Sequence, residues 1–202
     1  RTIEHVAGET ELDAQPLRIV STSPSITGSL LAIDAPIIAS GAATITALTD
    51  ENGFFVQWAD VAAERGVEVA YGDLTLDIDA IDLLEPDLII GSANGGDATL
   101  DAYDQLSEIA PTIMLDYGTV TWQELTVELG EITGLEIEAA AVLDDYDAWV
   151  AEQAELIAVP EQPSTALVYL GADGAWAFGD ASPQASLLTS LGFDYVAADV
   201  EA

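Results

Sequence analysis

Few residues in this chain have the types and spacing to do chemistry. Its 202 residues include one histidine, no cysteine, no lysine and three arginines, against 37 acidic residues. His5 lies in an opening stretch, residues 1–16, that reads as irregular. A Ser/His/Asp site would need that imidazole beside a nucleophile on a strained strand-to-helix elbow. No Gly-x-Ser-x-Gly elbow occurs, so no catalytic residue is assigned. The absence of thiols removes disulfides, thiolate metal sites and a Cys nucleophile together. Residues 91–96, Gly-Ser-Ala-Asn-Gly-Gly, fall between an apolar run and a helical pattern, where backbone N–H groups can cradle an anion. They lack the Gly-Lys-Ser/Thr ending of a nucleotide loop and the spacing of a dinucleotide fingerprint. An α/β enzyme that binds a nucleotide or phosphate is the reading this run keeps open. Asp144, Asp145 and Asp147 cluster, and Asp173 and Asp180 bracket Gly174, but neither set has calcium-loop spacing. No metal ligand is assigned.

The formal net charge is -34. A nucleic-acid binder needs cations to displace phosphate counterions, so no nucleic-acid partner is expected. Anionic membrane surfaces are disfavoured for the same reason. No apolar run reaches the roughly 18 to 20 residues of a membrane span, so no insertion is expected. The sequence opens without a basic and then apolar leader, as a mature chain does. Disorder is countered by 50% apolar content. The carboxylates read as a solvated surface of the kind suited to high salt, where screening weakens self-repulsion.

Short apolar runs at residues 17–20, 36–39, 67–71, 87–90 and 112–115 read as strands, with helical patterns between them. Ser23-Pro24 is helix-start chemistry: a hydroxyl able to cap, then proline at the first helical position. Residues 50–64 read as one helix, with Phe54, Phe55, Trp58, Val61 and Ala62 spaced to face a core. Residues 77–84 and 100–108 read as further helices. Helices alternating with buried strands indicate a mainly parallel sheet covered on both faces. The rhythm then changes. Residues 122–133 form one helical pattern, stopped at Gly134, and residues 135–157 form a second that would reach roughly 30 Å. A new α/β unit starts at residue 166, and Ser182-Pro183 opens another helix. The expected division is an N-terminal α/β lobe at 17–134, a linking helix at 135–158, and the start of a C-terminal lobe at 164–202.

Several segments carry a resemblance in order along the chain. They include Arg18-Ile19-Val20-Ser21-Thr22-Ser23, Thr27-Gly28-Ser29-Leu30-Leu31-Ala32-Ile33-Asp34-Ala35-Pro36, and Gln57-Trp58 with Glu64-Arg65. Pro86-Asp87-Leu88-Ile89-Ile90, Gly95-Gly96-Asp97, and Tyr103-Asp104-Gln105-Leu106-Ser107-Glu108-Ile109-Ala110-Pro111-Thr112 follow. Leu129-Gly130-Glu131-Ile132-Thr133-Gly134 and Leu191-Gly192-Phe193 continue the series. The chain thus resembles the periplasmic ferric-siderophore binding proteins of ABC importers, in particular the ferric-enterobactin receptors. The resemblance implies two Rossmann-like lobes joined by one long helix, with the second lobe incomplete here, and a ligand held in the cleft between them. It implies no enzyme activity and no cofactor: the ligand is a ferric siderophore, expected to be a catecholate of the enterobactin kind, whose iron needs no protein ligand. Haem and cobalamin receptors share the architecture. The implied partners are the permease subunits of the importer, and the implied state is a monomer when full length. The implied location is periplasmic, or lipid-anchored outside a Gram-positive cell.

Within that resemblance, residues after strand ends are the candidate walls. They are Ser21, Thr22 and Ser23; Gly41, Ala42 and Ala43; Ser92, Ala93, Asn94 and Gly95; Asp116 and Tyr117; and, later in the chain, Tyr169, Gly171, Trp176 and Phe178. Among these, Ser23, Ala43, Asn94, Tyr117, Tyr169 and Trp176 are the expected ligand contacts. Arg65 joins them as the cation in a matching motif that can meet an anionic chelate. Trp58 and Trp122 fall in helical patterns as core residues. Receptors of this kind dock on the permease through a carboxylate on each lobe. The first-lobe position is Asp79, while the second-lobe helix holds Ser186 and Thr189 instead of an acid.

Overall fold

A computed structural model describes residues 1–169 and 174–198. The chain divides into two compact units, Arg1–Val142 and Leu143–Ala202.

The first unit is built on five parallel strands. They are β3 (Ile19–Ser21), β4 (Ile37–Gly41), β5 (Glu68–Tyr71), β6 (Leu88–Ser92) and β7 (Thr112–Leu115), in the order β5-β4-β3-β6-β7. β3, β6 and β7 are buried along their whole length, as strands covered on both faces must be. Four helices connect the strands: α1 (Pro24–Ala32), α2 (Ala59–Arg65), α3 (Ile78–Leu83) and α4 (Tyr103–Ser107), the last preceded by a 3-10 turn at Leu100–Ala102. One core cluster joins Ile19, Ile26, Leu30, Leu88, Ile90 and Ile113 to Leu125, Leu129 and Ile132 of α5 (Trp122–Thr133). A second, on the other face, gathers Val20, Ile89 and Met114 with Ile81 and Leu106. The chain leaves β3 toward β4 and β5, then returns to β6 on the other side of β3. The strand order therefore reverses between β3 and β6, and the loops after these two strands open a crevice.

Two expectations are corrected here. Residues 1–16 are not irregular: β1 (Thr2–His5) and β2 (Gly8–Glu11) pair as an antiparallel hairpin. The Val6 amide donates to the Met114 carbonyl at 3.1 Å, and the Thr10 hydroxyl donates to the Thr112 carbonyl at 2.9 Å. The hairpin thus lies along β7. Its residues are mostly polar, so no apolar alternation announced it. The single helix expected at 50–64 is also replaced, because only Ala59–Arg65 is helical. The Asp50 carboxylate accepts from the amides of Asn52 and Phe54 at 2.9 and 2.8 Å, which turns the chain instead. Gly53 then sits at φ 82°, where a Cβ would lie 2.2 Å from the Ala43 carbonyl oxygen. Phe54, Trp58 and Ala62 are nonetheless buried, as their spacing requires.

α5 starts on a reciprocal capping box. The Glu124 amide donates to the Thr121 hydroxyl at 3.1 Å, and the Thr121 amide donates to the Glu124 carboxylate at 2.7 Å. Gly134 closes it. α6 (Glu136–Leu156) buries Ala139 and Val150, with Val142, Leu143 and Tyr146 half-buried between them, one stripe at helical spacing. In the second unit β8 (Leu167–Tyr169) and β9 (Ala175–Ala177) pair antiparallel. α7 (Pro183–Ser190) follows, with the Ser182 hydroxyl accepting from the Ala185 amide at 3.2 Å. Ser164 and Tyr195 form an isolated parallel bridge.

Candidate functional site

The strand reversal brings Asp97 to the start of α1. Asp97 follows the loop after β6 and is 6% exposed. The Ser23 hydroxyl and the Ser25 amide donate to its Oδ2 at 2.5 and 3.1 Å, and the Tyr117 hydroxyl donates to its Oδ1 at 2.8 Å. Ser23 was expected to cap α1 itself, but its side chain makes no such bond. The carboxylate arriving from β6 takes that place, satisfying a free N–H and opposing the positive end of the helix. Burial alone would raise the Asp97 carboxyl pKa. The donors Ser23, Tyr117 and Ser25 outweigh it and hold the group below the usual carboxylate range. Burial first, and the neighbouring acids Asp97 and Asp116 after it, push the Tyr117 phenol upward, so its proton stays in place.

Above this triad lies an open pocket of about 200 Å³. Pro24 and Ser25 of α1, with Gly96, Asp97 and Tyr117, line it together with Ala43, Phe55 and Leu74 from the loops after β4 and β5. Gly95 has φ 82°, and a Cβ there would come within 1.9 Å of the Tyr117 hydroxyl, so only glycine lets the phenol rest on this turn. Beneath the pocket is a buried polar layer. Thr27 donates to Ser21 at 2.9 Å and shares a 2.7 Å hydrogen bond with Ser40, while Thr22 and Thr99 share another of 2.7 Å. The Tyr71 hydroxyl donates to the Thr22 carbonyl at 2.5 Å, and burial drives that phenol's pKa strongly upward. Among the described residues no buried side-chain N or O is left unpaired. Such a satisfied network fixes the loops above it.

The expected contacts are distributed unevenly. Ala43 and Tyr117 line the pocket. Ser23 is fully buried and donates to Asp97. Asn94 is half-buried at the same edge and donates to Asp116 at 2.5 Å. Tyr169 and Trp176 belong to the second unit, where they are 72% and 62% exposed on opposite faces of the β8–β9 ribbon. Gly171 and Asp173 lie outside the described residues. Asp79 is exposed in the first turn of α3.

Arg65 does not line this pocket. Its guanidinium donates to the Leu31 carbonyl at 2.9 Å and pairs with Asp34, at the end of α1 remote from Asp97. Arg18 likewise donates to the carbonyls of Glu85 and Leu84 beyond α3, at 3.0 and 2.5 Å. Arg1 donates to the Glu131 carbonyl in the last turn of α5 at 2.5 Å. All three cations of the chain thus serve helix C-termini. The residues the candidate set missed are Asp97, Ser25, Phe55, Leu74 and Gly96. The signal available for Asp97 was an acid directly after a Gly-Gly pair at a strand end.

These features give an open α/β sheet with a walled crevice at its reversal point. Residues 19–200 match the periplasmic binding protein family, and the chain belongs to it. The chain is 46% identical over 196 residues to the ferric enterobactin-binding periplasmic protein FepB of Escherichia coli, covering 96% of this chain and 61% of that one. It is 25% identical to the iron(3+)-hydroxamate-binding protein YxeB of Bacillus subtilis, covering 89% of this chain and 51% of that protein. The crystal structure of holo-ViuP superposes with a TM-score of 0.87 at 35% identity, covering 98% of this chain and 66% of that one. The chain therefore spans between half and two thirds of the length of these relatives. Among the described residues, no helix is long and apolar enough to cross a membrane, and no group of three His, Cys, Asp or Glu side chains is arranged to hold a metal ion.

Proposed function

We propose that this chain forms the ligand-capturing part of a ferric-siderophore receptor that delivers its cargo to the permease of an ABC importer. A tris-catecholate of the enterobactin kind is the proposed cargo. One observation carries the reading. The 46% identity with the ferric enterobactin-binding protein extends over 96% of this chain, and so over nearly all the residues that build the pocket and its polar floor. The pocket suits the task. Phe55, Leu74, Ala43 and the Tyr117 ring offer apolar and aromatic surface to a wide ligand, and the polar layer holds them still. The iron arrives already enclosed by its chelator, so the protein supplies no metal ligand and no catalytic group.

Asp79, exposed at the start of α3, is the proposed permease contact on this unit. An extracytoplasmic location, periplasmic or lipid-anchored, follows from the same role. The test is a tryptophan-fluorescence titration of the whole protein with ferric tris-catecholate, ferric tris-hydroxamate, haem and a corrinoid. Saturable quenching by the catecholate supports the reading. Quenching by haem or the corrinoid alone replaces it with a different cargo, and no response to any of the four removes it.

A further inference from the structure

We propose that the pocket of the first unit receives a neutral or cationic, hydrogen-donating part of the ferric chelate and turns away from its anionic oxygens. This rests on the receptor reading above and specifies which side of the cargo this unit meets. In an open α/β sheet the helix N-terminus at the strand reversal is the ordinary place for an anion. Here the protein's own carboxylate already occupies it, because Asp97 accepts the Ser25 amide at the start of α1. The Ser25 hydroxyl, the one other side-chain donor on the wall beside Tyr117, is engaged with the same Asp97–Tyr117 pair. The Tyr117 proton is directed at Asp97, so the phenol oxygen has only acceptor capacity left. The Asp97 carboxylate is ionised and accepts only. No arginine lines the pocket, and no arginine is available to do so: Arg1, Arg18 and Arg65 are each bound to a helix C-terminus, and the chain has no lysine. An approaching anion would therefore meet acceptors and a net negative field, while an amide N–H or ammonium would meet partners.

The experiment uses three ferric tris-catecholates that share one iron shell and differ in one pendant group: a free amine, its acetamide, and its succinamic acid. Each is titrated into the whole protein at low ionic strength, followed by tryptophan fluorescence. The expected order of affinity is amine, acetamide, acid, with about tenfold between the first and the last. In Asp97→Asn, which keeps the shape and removes the charge, that spread collapses. Tyr117→Phe keeps the carboxylate and frees its Oδ1, so the spread widens; this variant gives a second reading should the first fail to fold. Equal affinities, or an acid that binds tightest, would overturn the inference. So would a spread unchanged in both variants, because the order would then belong to the overall charge and not to this pocket. If no member of the series binds, the receptor reading itself falls, and the inference falls with it.

Discussion

The two edges of the five-stranded sheet treat charge in opposite ways. At the edge where the strands begin, arginines are drawn inward onto helix carbonyls: Arg65 on Leu31, Arg18 on Leu84 and Glu85. At the edge where the strands end there is no cation, and a carboxylate sits on a helix start. α1 spans both edges and is closed at each end by a charge from elsewhere in the sequence, Asp97 at its N-terminus and Arg65 at its C-terminus. The comparison teaches that ionic groups in this unit neutralise helix ends before they serve a ligand. The site edge is left with shape, aromatic surface and acceptors.

The largest effect that would sharpen this contrast is expected from Asp97→Ala. It strips the Ser23 hydroxyl, the Ser25 amide and the Tyr117 hydroxyl of their shared partner in a buried setting. A loss of about 3 kcal/mol is expected by urea denaturation, together with loss of chelate binding. A loss below about 1 kcal/mol would show that water replaces the carboxylate without cost.

Gly95→Ala comes next. The new Cβ collides with the Tyr117 hydroxyl in a backbone conformation that alanine resists, so about 1–2 kcal/mol of stability is expected to go, along with about tenfold in chelate affinity. Arg65→Ala should do the reverse. It would cost about 1 kcal/mol, since the group is partly exposed, and leave chelate affinity unchanged. A weakened affinity would return Arg65 to the ligand and break the contrast between the edges.

The smallest effect concerns pH. Burial lowers the His5 pKa, and its Nδ1 accepts from the Ala7 amide at 3.2 Å and the Met114 amide at 3.4 Å. A base with a depressed folded pKa contributes stability that is present above its unfolded value, about 6.5, and lost as pH falls below it. Hydrogen exchange at the Val6 amide should accelerate as pH drops from about 7 toward 5, after correction for intrinsic rates. A flat profile would mean the hairpin is held by its backbone bonds alone.

Local signals made much of this fold legible. The helical pattern at 122–133 with its stop at Gly134, Ser182-Pro183 and the apolar runs located α5, α7 and the sheet strands to within a residue or two, because each depends on neighbours in sequence. Tyr117 and Ala43 were legible as positions just past strand ends. What could not be read depends on partners far along the chain. Ser23 looks like a cap until Asp97, 74 residues away, takes its hydroxyl. Arg65 looks like the one cation free for a ligand until the Leu31 carbonyl, 34 residues back, claims it. The hairpin was invisible for a different reason: its polar strands pair with each other and meet β7 through the Val6 amide, the His5 imidazole and the Thr10 hydroxyl, and they leave no hydrophobic pattern.

That hairpin has a consequence for how copies of the molecule behave toward one another. β7 is the outermost strand of the sheet, and a bare border of amides and carbonyls is an invitation for a foreign strand to join. Val6, His5 and Thr10 spend those groups within the same molecule. Trimming residues 1–11 would turn a sealed border into an adhesive one, and concentrated protein would begin to polymerise through β7.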